Sequence, residues 1–239
     1  MNTYRMNAVM GGALYFLGTV FGILGAIVGG EVLSSLVLGK PLVGVDILGL
    51  VAANSSRLTW GALFTLLMGV SLVAMTAFLY PVFRKDSKEL AMGLVLFRGA
   101  FEGTSYFIST LGILALVALA KEYTAAGAAS AALQSMGNVL YQVPDFSGTI
   151  GTIVFVIGTA CLCISFYRTR LIPRWLTIWG LIGVVPYMTY ALLHFFHMDD
   201  GIGFYLQMVT APQELVMGLW LVIKGFNPSA VAALSAKTE

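Results

Sequence analysis

Residues 90–119 read LAMGLVLFRGAFEGTSYFISTLGILALVAL. The stretch carries two charges, Arg98 and Glu102, and its remaining residues are apolar, small or hydroxylated. A helix rising about 1.5 Å per residue needs about 20 mostly apolar residues to cross a hydrocarbon core of about 30 Å. This run exceeds that length, so it tilts or extends beyond the lipid. Working outward, five further stretches qualify as spans, at 8–28, 58–80, 146–167, 175–196 and 203–223. The fold class is therefore an all-α polytopic transmembrane bundle of six spans, with residues 1–239 forming a single transmembrane domain.

Composition points the same way. Of 239 residues, 59% are apolar and 10% are charged, against about 25% charged in an ordinary soluble domain. The surplus apolar side chains must face lipid. The net charge of +2 is not gathered into a basic stripe with interleaved aromatics, so nucleic acid is not an expected partner. Cys161 and Cys163, two apart on a helix, point in different directions and cannot bridge each other. They read as packing residues, and no cofactor is implied. The first apolar run lies between Arg5 and Glu31 and is too long for a signal-peptide core, so it is expected to remain as a span.

A further uncharged segment, 123–144, differs from the six. It is rich in Ala and contains Gln134, Asn138 and Gln142, while Leu133, Met136, Leu140 and Val143 recur at spacings of three and four. That pattern predicts an amphipathic helix in the outer loop between spans 3 and 4, on the membrane surface or against the bundle, ended by Pro144. With six spans, one side holds Arg5, Arg84, Lys85, Lys88, Arg168, Arg170, Arg174, Lys224 and Lys237; the other holds Lys40, Arg57 and Lys121. Basic loops stay on the cytoplasmic side, so the chain is expected in the inner (cytoplasmic) membrane with both termini cytoplasmic.

Gly18, Gly22, Gly25 and Gly29 form one ridge on the first span. In lipid, such ridges let helix backbones approach closely. Packing within the chain is the favoured reading, and a homodimer seam or another membrane-protein partner is the alternative. Pro186 in the fifth span and Pro212 in the sixth each remove an N–H and free a carbonyl one turn earlier.

Charges at membrane depth cost at least about 2.5–3.5 kcal/mol each on insertion scales, so each needs a reason. Arg98 and Glu102 are four residues apart and share a helix face. Glu102 lies about 18 Å from residue 90, and Glu214 about 14 Å from residue 223 at the cytoplasmic end of its span. Both depths fall near the bilayer middle, so Arg98, Glu102 and Glu214 are expected to meet, with Gln213 beside them. Two carboxylates on one guanidinium leave a surplus negative charge, a shared proton or room for a cation. The competing reading is a buried ion pair that fixes helix register. At the outer end of span 5, His194 and His197 with Asp199 are candidate metal ligands, although interface anchoring is the favoured reading for histidines and aromatics there.

Tyr80-Pro81, Arg98-x-x-x-Glu102, Ile172-Pro173-Arg174-Trp175 and Pro212-Gln213-Glu214 followed by Trp220-Leu-Val-Ile-Lys-Gly-Phe226 resemble the prokaryotic six-span membrane proteins filed as domain of unknown function 4386. The resemblance covers nearly the whole chain and implies the same six-helix architecture. It supplies no activity. Three functional readings follow, in order: binding or transport of a small molecule or ion at the mid-membrane charges; an accessory or structural subunit of a larger membrane complex; and an intramembrane metal-dependent enzyme using His194 and His197. The balance leans away from catalysis.

Overall fold

A computed structural model describes residues 3–38, 42, 44–198 and 203–236. In chain order the helices are α1 (Thr3–Val28), α2 (Gly30–Leu38), α3 (Ile47–Ala53), α4 (Ser55–Phe83), α5 (Lys88–Gly93), α6 (Glu102–Ala125), α7 (Ala131–Thr169), α8 (Arg174–Phe195), α9 (Gly203–Gln207), α10 (Thr210–Ile223) and α11 (Pro228–Ala236). A π-helical segment, Leu94–Phe101, joins α5 to α6 without a break. Six helical stretches are long and apolar enough to cross a membrane: Thr3–Val28, Ser55–Phe83, Lys88–Ala125, Ala131–Thr169, Arg174–Phe195 and Tyr205–Ile223. Each contains or overlaps one of the spans read from the sequence, so the chain is a six-span membrane bundle.

Local chemistry sets several of the ends. Asp46 accepts the Gly49 N–H at 2.9 Å ahead of α3, and Ser87 accepts the Leu90 N–H at 3.2 Å ahead of α5. These side chains satisfy N–H groups that a helix start leaves open. Arg5 donates to the carbonyls of Val222 and Ile223 at the last turn of α10, and Arg57 donates to Val28 at the last turn of α1.

Consecutive spans are neighbours, and the ring closes. The helix α1 packs on α4, α4 on α6, α6 on α7, α7 on α8, α8 on α10, and α10 returns to α1. Small residues make the closest approaches. Gly18 lies against Leu72, Gly22 against Met68, and Gly25 against Phe64 and the Gly61 carbonyl. The glycine ridge is thus filled by α4 of the same chain, with Gly29 turned toward Leu33. On the other side of α1, a Cβ on Gly12 would stand 2.8 Å from the Gly218 carbonyl oxygen; α1 and α10 therefore cross backbone to backbone.

The outward faces are apolar. Leu17, Val70, Leu111, Ile150, Ile182 and Leu219, one from each span, are among the exposed large side chains. The buried polar residues include Arg98, Glu102, Gln213 and Glu214. This inside-out distribution suits a solvent of acyl chains.

Two expectations change. Pro144 does not end a helix: α7 runs unbroken from Ala131 to Thr169 with Pro144 inside it, and Gly112 of α6 offers the open surface on which the ring packs. At about 1.5 Å per residue, α7 is about 58 Å long, nearly twice the hydrocarbon thickness. Its first half joins α2, α3 and the end of α6 in a second apolar core containing Leu48, Val51, Leu116, Tyr123 and Tyr141. Pro212 does not break a helix either. The helix α10 begins at Thr210, so the proline sits in the first turn, where its missing N–H leaves no bond unmade. The interruption of the sixth span lies earlier, between Gln207 and Thr210.

Candidate functional site

Arg98 ends the π-helical segment's run of large side chains and turns into the ring. A π-turn is uncommon and is found disproportionately at functional sites. Its backbone lies against Gly158 of α7, where an added Cβ would stand 2.7 Å from the Arg98 nitrogen. Four residues on, Glu102 opens α6 on the same face. From the opposite side Glu214 reaches in from the second turn of α10.

The three side chains converge. Arg98 Nη1 donates to both Glu102 oxygens, at 2.8 and 2.9 Å, and Arg98 Nη2 donates to Glu214 Oε1 at 2.6 Å. Arg98 is 1% exposed, Glu102 0% and Glu214 8%. Charge-assisted bonds of this length are the strong class, and in a buried setting they are little screened.

Hydroxyl donors complete both carboxylates. Tyr15 donates to Glu214 Oε1 at 3.1 Å and Thr19 to Glu214 Oε2 at 2.9 Å. Tyr106 donates to Glu102 Oε1 at 2.9 Å. The guanidinium carbon lies 4.2 Å from the Phe155 ring centroid and 5.3 Å from that of Tyr15, cation–π geometry that lowers the cost of burying the charge. Gln213 lies beside the cluster but turns to α8, donating to the Leu176 carbonyl at 3.1 Å. Arg98 Nε, Thr159 Oγ1 and Gln213 Oε1 are buried with no hydrogen-bond partner among the described residues. They are a donor, a hydroxyl and an acceptor respectively.

Sequence reasoning identified Arg98, Glu102 and Glu214 as a meeting set but missed Tyr15, Thr19, Tyr106 and Phe155. One signal for them was present: Tyr15 and Thr19 on α1, like Glu102 and Tyr106 on α6, are four apart and share a face. Fixing which face turned inward needed the packing of α1 on α4.

A polar chain leads away from the cluster along α8. Tyr187 packs edge-on to Phe155 at 5.1 Å and stacks on Tyr190 at 6.1 Å, which in turn lies 5.6 Å from His194. The Tyr187 hydroxyl donates to Gln207 Oε1 at 3.4 Å, and His194 Nε2 meets Asp145 Oδ1 of α7 at 3.1 Å.

His194 is thus directed at Asp145, while His197 packs against Phe146 at 6.4 Å. Asp199 lies outside the described residues. Among the described residues no three His, Cys, Asp or Glu side chains gather as a metal site. Cys161 and Cys163 are free thiols packed on Gly93 and Gly180.

No curated protein matches the chain, and no solved structure does. Residues 10–225 do match a family, the one described as Domain of unknown function (DUF4386). With the six-span ring and residues 98–102 and 212–225 inside the matched region, the chain belongs to that family.

Proposed function

We propose that this protein binds or transports a small molecule or ion at the Arg98–Glu102–Glu214 cluster, and that the ion is a proton. The observation that carries the reading is the sharing of one guanidinium by two buried carboxylates. With both carboxylates ionised the cluster holds one uncompensated negative charge. Such a charge is costly at membrane depth, and a single proton on the carboxylate pair removes it. Thr19 gives Glu214 a means of accepting that proton. Its hydroxyl sits 2.9 Å from Glu214 Oε2 and 3.3 Å from the Tyr15 carbonyl, so it can turn its donation to the carbonyl and accept from the carboxylic acid instead.

Further support comes from Tyr187, Tyr190 and His194, polar-tipped side chains in ring contact along α8, the last hydrogen-bonded to Asp145. The interrupted sixth span adds to it, because discontinuous helices are the usual frame of mid-membrane transport sites. The excess of basic residues on one side supports cytoplasmic termini in an inner membrane.

The experiment is proton flux into proteoliposomes loaded with a pH-sensitive dye, under an imposed membrane potential. Wild-type flux above that of empty vesicles, lost in both Glu102→Gln and Glu214→Gln, is the expected result. Stable, folded wild-type protein that moves no protons and binds no cation overturns the reading. The pairing of both carboxylates with Arg98 and with hydroxyl donors favours one other role, an accessory subunit of a larger complex. In that case the isolated protein is silent and a second membrane protein co-purifies under mild detergent.

A further inference from the structure

Where α7 ends, α8 begins and α10 passes into α11, there is a cleft of about 490 Å³, lined by none of the cluster's residues. Its floor includes Leu171 and Phe226, both buried. Its rim carries Arg170, Arg174 and Lys224, with Trp220 beside them, and no acidic residue lines it. Three other basic residues at this end are engaged. Arg168 pairs with Asp86 at 2.9 Å, Lys85 donates to Tyr4, and Arg5 holds the end of α10. By contrast, Arg170, Arg174 and Lys224 make no ion pair among the described residues; Arg174 lies over the Tyr167 ring at 4.6 Å.

Arg170 also adopts a left-handed backbone, with φ of 56°. That conformation favours glycine and strains most other residues by about 1 kcal/mol or more. An arginine here carries a small stability cost, and what glycine lacks is the guanidinium.

We propose that this cleft binds the phosphate group of an anionic phospholipid, with Arg170, Arg174 and Lys224 on the phosphate and the acyl chains leaving over the apolar side. Arginine matches phosphate oxygens with two parallel donors. A free phosphate ion offers the same anionic chemistry, but the lining favours a lipid. Leu171 and Phe226 give an apolar floor, Trp175 stacks edge-on to Trp220 at 6.3 Å as interfacial tryptophans do, and the neighbouring Ile223 is exposed. The cleft therefore straddles the boundary between headgroups and acyl chains.

The test is native mass spectrometry of the full-length protein, released from detergent with phosphatidylglycerol and phosphatidylcholine in equal amount. Wild type retains phosphatidylglycerol selectively. Arg170→Gly, which relieves the backbone, and Lys224→Gln each weaken retention about fivefold, the effect of one basic residue near an anionic surface. Lys88→Gln, at the same end but outside the cleft, leaves it unchanged. Retention unaffected by Arg170→Gly and Lys224→Gln overturns the site, as does an equal loss in Lys88→Gln, which would mean diffuse surface attraction. Equal retention of the zwitterionic lipid, or displacement of phosphatidylglycerol by equimolar inorganic phosphate, overturns the lipid assignment.

Discussion

Arg98 is the residue on which the centre of the ring most depends, and its replacement gives the sharpest test of the packing. In Arg98→Met the side chain keeps an unbranched stem but loses the guanidinium and its three short bonds, two to Glu102 and one to Glu214. Two carboxylates are then left facing each other with only Tyr15, Thr19 and Tyr106 as donors. Removing one partner from a buried pair costs about 3–5 kcal/mol, and here two carboxylates are orphaned at once, so the upper end applies. For a chain of this size, about 5 kcal/mol corresponds to a fall in melting temperature of about 10–20 °C. The assay is thermal unfolding in mild detergent, followed by the fraction remaining monodisperse. Neutralising the orphans as well, in Arg98→Met/Glu102→Gln/Glu214→Gln, should recover most of the loss. If the single variant melts within about 2 °C of wild type, or the triple variant is worse than the single, the cluster is not the closed charge network its geometry indicates.

Three smaller perturbations follow, two beside the cluster and one at the end of α7. Gly158→Ala places a methyl 2.7 Å from the Arg98 nitrogen and 2.8 Å from its Cβ; the neighbour is backbone, so α7 must move, with a cost of about 1–3 kcal/mol read by the same melt. Tyr15→Phe deletes one donor to Glu214, for a loss of about 1.5–3 kcal/mol, and that loss should largely vanish in a Glu214→Gln background. Arg170→Gly should raise stability by about 1 kcal/mol, measured with no anionic lipid present, because glycine occupies the left-handed region freely.

Much of the architecture was legible because its signal is strong and local. Runs of apolar residues with few charges specify spans directly, and depth from the span ends brought Arg98, Glu102 and Glu214 to one level before any packing was known. What escaped was decided by contacts between elements. The π-helical turn at Leu94–Phe101 has no spelling in those residues. The continuity of α7 through Pro144 depends on Gly112 opposite it, and the pairing of His194 with Asp145 joins residues 49 apart in the chain. The interruption of the sixth span falls at Met208–Val209, ahead of Pro212, because a proline in the first turn starts a helix rather than breaking one.

The order in which the charges occur along the chain bears on how the protein enters its membrane. Arg98 and Glu102 arrive together, one turn apart on a single helix, and already bonded they form a neutral unit that crosses at far less cost than either charge alone. The unmatched carboxylate is held back to the sixth span, in the 14-residue helix that follows its interruption. When Glu214 emerges, five spans are in place and a guanidinium arm is free to receive it. The sixth span is thus drawn in by a partner laid down in the third, and ring closure and charge neutralisation become the same event.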